Sequence, residues 1–171
     1  KIVFITGATS GIGEATAKIL SNNYDLILCG RRKERLIKLR DSLSKKTNVI
    51  ILSFDVRNKD QVSEKIKSLD EKWKNIDFLI NNAGNAHGMD YIFDGNSDDW
   101  DKMIDINVKG LLYVSKLIIP IMTKSNKGII INIGSIAGKE IYPKGNVYCA
   151  SKYAVDAITK AMQVDLNKFN I

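Results

Sequence analysis

Ile2-Val3-Phe4-Ile5-Thr6-Gly7-Ala8-Thr9-Ser10-Gly11-Ile12-Gly13 is the stretch that decides how this 171-residue chain folds. Four apolar residues predict a buried strand. The glycines after them predict a tight turn, and Glu14-Ala15-Thr16-Ala17-Lys18-Ile19-Leu20 has the amphipathic pattern of a helix. A strand, a glycine-rich turn and a helix start together aim backbone N–H groups and a positive helix end at a pyrophosphate. The spacing is G-x-x-x-G-x-G, and it leaves room for the turn, for close approach of phosphates and for helix-on-strand packing.

The same alternation continues along the chain. Asp25 to Cys29 reads as a second strand, and Leu36, Leu39 and Leu43 follow at helical steps. Val49 to Phe54 reads as a third, followed by Val62, Ile66, Leu69 and Trp73, again with helical spacing and a core role. Further strands are expected at Asp77–Ile80 and over residues 128–134. Near-continuous apolar strands separated by amphipathic helices predict a parallel sheet covered on both faces. Right-handed crossovers then give an α/β, doubly wound Rossmann sheet in a single domain over residues 1–171. Asp90 to Asp99 marks a surface loop, with Ser97 as the expected helix cap.

Twenty-six basic and nineteen acidic residues leave a charge of +7. The lysines are interspersed with acids, as in Lys33-Glu34-Arg35, so solvated helix faces account for most of the excess and no nucleic-acid partner is expected. No apolar run approaches the ~20 residues that span a bilayer, and no signal-peptide pattern is visible, so no membrane partner is expected. Cys29 and Cys149 lack metal-ligand spacing and predict two reduced thiols in a cytoplasmic protein.

The chemistry concentrates near the carboxyl end. Tyr148 and Lys152 stand four residues apart, on one face of a helix, thirteen residues after Ser135. A free phenol titrates near ~10, and an adjacent ammonium favours its ionised form. With a serine hydroxyl the pair can pass a proton to and from a substrate oxygen. It cannot accept a hydride, so a carrier is required, and the glycine turn marks its place.

Together these residues resemble the short-chain dehydrogenase/reductase family. Four more motifs stand in that family's order: Asp55-Val56 after the third strand, Asn81-Asn82-Ala83-Gly84 after the fourth, Asn107 on the next helix, and Ser135 after the fifth strand. Asn82-Ala83-Gly84 before Ala86-His87-Gly88, and Ile133 to Gly138 leading to Gly145-Asn146-Val147-Tyr148, look most like its NADP-dependent 3-hydroxy acid (serine/allo-threonine) dehydrogenases. The resemblance implies Tyr148 as general acid/base and Ser135 as the hydroxyl that holds the reacting oxygen. Lys152 would tune Tyr148 and bind the nicotinamide ribose, and Asn107 would hold a water linking Lys152 to solvent. Cofactor contacts are implied for Thr6, Gly7, Ser10, Gly11, Ile12, Gly13, Asp55, Val56, Asn82, Ala83, Gly84, Tyr148 and Lys152. It also implies that the chain continues into further strands and a substrate-covering segment.

An NAD enzyme usually carries an acid at the end of the second strand. Here Cys29-Gly30-Arg31-Arg32 has two arginines instead. A basic pair at a helix start opposes the helix dipole, and a guanidinium matches a phosphate, so Arg31 and Arg32 predict NADP(H). Asp55 is either an adenine contact or a cap before Asn58. His87 is either a solvated loop residue or a pocket lining. The expected function is hydride transfer between NADP(H) and a small-molecule 3-hydroxy acid, in a homodimer or homotetramer. A 3-oxoacyl thioester reductase and a non-catalytic NADP-binding protein are the alternatives.

Overall fold

The computed structural model describes residues 1–171. Five parallel strands, β1 (Ile2–Ile5), β2 (Asp25–Gly30), β3 (Val49–Ser53), β4 (Ile76–Asn81) and β5 (Ile129–Asn132), form one sheet in the order β3-β2-β1-β4-β5. Between them run α1 (Gly11–Leu20), α2 (Lys33–Leu43), α3 (Lys59–Lys67), α4 (Ser97–Ile104) and α5 (Leu111–Ser125), and α6 (Asn146–Leu166) follows β5. The chain winds outward from β1 to β3 and then crosses back to β4. The switch point therefore lies between the carboxyl ends of β1 and β4, where open α/β sheets bind ligands.

Strand side chains alternate between two cores. Val3, Ile5, Leu26, Leu28 and Ile80 pack with Ala17 of α1 and with Leu36, Leu39 and Leu43 of α2. Phe4, Ile27, Cys29 and Leu79 point the other way, to Val62 and Ile66 of α3, to Trp73 and to Val114, Ile118 and Met122 of α5. The expected doubly wound sheet is present, with most strand limits shifted by a residue or two. The cap of α4 is Asn96, not Ser97: the Asn96 Oδ1 accepts from Asp98 N at 2.8 Å.

Between α4 and α5 the helix continues through a π-turn at Asp105–Gly110. The continuous helix Ser97–Ser125 is long and apolar enough, by length and composition, to cross a membrane, which the sequence did not lead one to expect. Val114, Ile118 and Met122 in it are completely buried against the sheet, as in the core helix of a Rossmann layer. π-Turns inside helices are rare and gather at functional sites. This one places Asn107.

Candidate active site

A cleft of about 420 Å³ opens over the switch point. Among the residues expected to bind a cofactor, Gly7, Ser10, Gly11, Ile12, Arg31, Arg32, Asp55, Val56, Asn82, Ala83, Gly84, Tyr148 and Lys152 line it. Thr6 and Gly13 do not; they shape the turn from behind. Thr6 is buried, and its Oγ1 accepts from the N–H groups of Asn82 and Ala83 at 3.0 Å each, locking the end of β1 to that of β4. Asn82 returns the link through Nδ2, which donates to the carbonyls of Thr6 at 2.9 Å and Gly7 at 3.2 Å. Gly7 has φ +67°, and a Cβ on Gly13 would run into the Asn82 amide and the Gly7 carbonyl. Ser10, at the start of α1, makes no side-chain cap. The helix N-terminus thus faces the cleft uncapped.

Arg32 lies back across the glycine turn. Its guanidinium donates to Thr9 Oγ1 from Nε at 3.1 Å and from Nη2 at 2.7 Å, and to Ser10 Oγ at 2.7 Å. Arg31 is exposed and approaches Asp55 at 3.7 Å. Asp55 is held chiefly by Arg57, whose Nη2 donates to Oδ2 at 2.6 Å. Burial raises the Asp55 carboxyl, but the hydrogen bonds and charge of Arg57, with the charge of Arg31, outweigh it and hold it below the usual carboxylate range. Asp55 does not cap α3. Asn58 does, accepting from the N–H groups of Asp60 and Gln61.

The residues expected to handle the proton lie elsewhere along the cleft. Tyr148 and Lys152 lie on consecutive turns of α6, with the Lys152 ammonium 6.0 Å from the Tyr148 ring centre. That ammonium donates to the Ile133 carbonyl at 2.9 Å, and burial pushes it below its ordinary lysine value. Ser135 lies three residues beyond β5 and caps a short turn, Ile136–Gly138, that packs on α6. Its Oγ accepts from Ala137 N at 3.2 Å, which leaves the hydroxyl hydrogen free to donate. Ser135 is not part of the cleft wall; its neighbours Ile133 and Gly134 are.

Asn107 is buried and does not reach the cleft either. Its Oδ1 accepts from Asn85 N at 2.8 Å, and its Nδ2 donates to Asn85 O at 2.8 Å and Ser151 Oγ at 3.0 Å. Ser151 in turn donates to Tyr148 O at 2.7 Å. The Asn107 amide is thereby committed to protein partners, and a side-chain water, as the resemblance implied, would have to displace one of them. What the geometry shows is a brace joining the loop after β4 to the turn of α6 that carries Tyr148 and Lys152.

Several residues here were not expected. Thr9, Gly30, Phe54, Asn85, Ala86 and Ile106 also line the cleft. A second, smaller cavity adjoins it, lined among others by His87, Asp90, Trp100, Tyr142 and Lys144. Tyr148 and Ala86 line both cavities. His87 is exposed and on the wall of this second cavity, its Nε2 2.8 Å from Asn85 Nδ2.

Residues 1–171 match the short chain dehydrogenase family, and the chain belongs to it. It is 44% identical over 97% of its length to the NADP-dependent 3-hydroxy acid dehydrogenase YdfG of Escherichia coli strain K12, of which it covers 66%. It is 42% identical to a closed form of serine dehydrogenase complexed with NADP+, with a TM-score of 0.92 over 97% of this chain and 66% of that one. An NAD+-bound xylitol dehydrogenase superposes as well, with a TM-score of 0.94 at 32% identity over the whole chain and 66% of its own. The chain thus spans just under two thirds of the length of these relatives.

Proposed function

We propose that the whole protein is an oxidoreductase that moves a hydride between NADP(H) and a small hydroxyl-bearing substrate. A 3-hydroxy acid such as serine, allo-threonine or 3-hydroxypropionate fits best. Residues 1–171 act as its NADP-binding Rossmann domain and carry the catalytic groups. One observation carries this reading: Tyr148 stands where the large cleft meets the second cavity, with Lys152 one helical turn away.

The cleft fits a dinucleotide phosphate. The glycine turn lines it at Gly7 and Gly11 beside the uncapped start of α1, and Oδ1 of Asn85, a residue of the cleft wall, has no hydrogen-bond partner. At the adenosine end, the guanidinium groups of Arg31 and Arg32 with the hydroxyls of Thr9 and Ser10 suit a 2′-phosphate. The fold itself does not choose between NAD and NADP, since relatives with each superpose equally well. The arginines choose.

When bound, the nicotinamide supplies the hydride carrier. This chain does the rest. Tyr148 gives and takes the proton at the substrate oxygen through its phenolic Oη, as general acid/base catalysis requires. Ser135 donates its free hydroxyl hydrogen to the same oxygen and fixes its position. Lys152 contributes a positive charge beside Tyr148 and donors for the ribose hydroxyls, and burial lowers its proton affinity. Asn107, through Asn85 and Ser151, is a positioning residue.

Two further features belong to this reading. Leu112, Ala157, Ala161 and Val164 are exposed on α5 and α6 and suit pairing across a two-fold axis into a homodimer or homotetramer. The two buried free thiols, Cys29 and Cys149, suit the reducing cytoplasm. The test is a turnover screen of the full-length protein with NADPH and NADH against 3-hydroxy acids, their semialdehydes and 3-oxoacyl thioesters. The expected result is NADP-dependent turnover that favours the hydroxy acids. Preference for the thioester would redirect the substrate assignment, and preference for NADH would overturn the role of Arg31 and Arg32.

A further inference from the structure

Gly30 is the last residue of β2, the place where an acid would select NAD. Its φ lies outside the left-handed region, and it keeps the regular parallel register with Ser53 of β3. The backbone therefore does not require a glycine here. A glycine within a regular strand weakens it and marks the close approach of another segment. That segment is the glycine turn. A Cβ on Gly30 would stand 2.8 Å from the Thr9 methyl group, closer than carbon atoms pack, and 3.6 Å from Thr9 Oγ1. Thr9 is buried, and the N–H of its neighbour Ala8 donates to the Cys29 carbonyl at 3.0 Å. Its Oγ1 accepts from Arg32 Nε at 3.1 Å and Nη2 at 2.7 Å. A β-branched side chain has few rotamers, so turning the methyl away from Gly30 would carry the hydroxyl away from Arg32.

We propose that Thr9 is a determinant of cofactor choice alongside the arginines, and that it acts by exclusion. Its methyl group fills the space that a side chain at position 30 would need, so an acid that could hold a ribose 2′-hydroxyl has no room there. Its hydroxyl at the same time holds the Arg32 guanidinium at the cleft wall. One residue thus disfavours NAD and supports the group assigned to the 2′-phosphate. Specificity is a difference of affinities, and barring a contact to one ligand widens it as adding a contact to the other does. The proposal rests on the NADP reading and deepens it: Gly30 and Thr9 form a coupled pair, and an acid at position 30 alone does not convert the site to NAD.

The test is a double-substitution cycle on the full-length protein, read by fluorescence titration with NADPH and NADH and by thermal melts. Thr9→Ser removes the methyl and keeps the hydroxyl. Gly30→Ala adds a Cβ and no charge. Alone, Gly30→Ala should weaken NADPH binding by about tenfold and lower the Tm. In the Thr9→Ser background the same substitution should cost no more than about twofold. Gly30→Asp should weaken NADPH binding and gain little for NADH. Combined with Thr9→Ser it should bind NADH at least about tenfold more tightly than Gly30→Asp alone. Equal costs of Gly30→Ala in the two backgrounds would overturn the proposal and leave the assignment of Arg31 and Arg32 intact. So would NADH binding by Gly30→Asp alone as tight as by the double variant. Should Gly30→Asp fail to fold in either background, the Gly30→Ala cycle decides. A wild-type protein that binds NADH as tightly as NADPH would remove the NADP reading and this proposal with it.

Discussion

The two ends of the site are built differently. At the nucleotide end the parts are locked together by short links between segments distant in sequence: Thr6 to Asn82 and Ala83, Asn82 to Gly7, Arg32 to Thr9 and Ser10. At the substrate end, Met89, Tyr91, Ile92 and Phe93 stand exposed in the loop after β4, with Ile136 and Ile141 exposed after β5. The first is a preorganised mould for a ligand of fixed shape. The second presents apolar side chains and a few charges around a small cavity. On the proposed reading, cofactor recognition would reside in backbone and in hydrogen bonds between distant segments, and substrate recognition in loop side chains that can vary without disturbing the sheet.

That contrast breaks most completely at the glycine turn. Gly13→Val drives a branched side chain into the Asn82 amide and the Gly7 backbone, so binding of NADPH should be lost and the melting temperature should fall. A thermal melt with and without NADPH checks both, and an unchanged ligand-induced shift in Tm would show the mould to be softer than described. Lys152→Met comes next, because it touches both ends of the site. Turnover should fall by about 10²-fold, with weaker NADPH binding as well. Loss of turnover alone would confine Lys152 to the proton path.

Arg32→Ala should weaken NADPH use by roughly ten- to a hundredfold and leave NADH use nearly unchanged. Steady-state kinetics with both cofactors decides this, and equal losses would assign Arg32 to holding the turn through Thr9 and Ser10 rather than to the 2′-phosphate. The smallest expected effect lies outside the site. Asp77 accepts from Ile2 N at 2.8 Å and Lys127 Nζ at 3.0 Å, joining the starts of β1 and β4. Burial raises its carboxyl, but these hydrogen bonds and the Lys127 charge outweigh it and hold it below the ordinary range. Its stabilisation is therefore present at neutral pH. It fades once the pH drops below the unfolded-state value near ~3.9 and is gone below the folded value. Asp77→Asn should cost about 1 kcal/mol at pH 7 by denaturant unfolding, and the difference should shrink in acid.

The fold was legible because its determinants are local. Apolar runs of strand length alternate with helical periodicity, and the glycine turn after Ile5 marks the first crossover. What the sequence hid depends on long-range approach. Thr9 is an ordinary turn residue until the end of β2 brings Arg32 onto it. Thr6 and Gly13 look like ligand contacts in a linear motif, yet their neighbours from β4 turn them inward. The π-turn at Asp105–Gly110 is a change of hydrogen-bond partner with no residue type of its own, so the brace from Asn107 to Asn85 and Ser151 could not be read from spacing. Asn96 and Ser97 are both good cap formers, and only backbone geometry decides between them. The apolar composition of Ser97–Ser125 likewise reflects a helix buried against the sheet.

The central claim is that Tyr148 joins the two ends as the proton relay, and Tyr148→Phe tests it most directly. The substitution keeps the ring and its packing and removes only the titrating oxygen. Measured on the full-length protein, NADPH affinity by fluorescence titration should stay near wild type, since the turn and the arginines are untouched. Turnover of the best hydroxy-acid substrate should fall by at least ~10²-fold. Wild-type turnover in the Phe variant, with NADPH bound normally, would contradict the account.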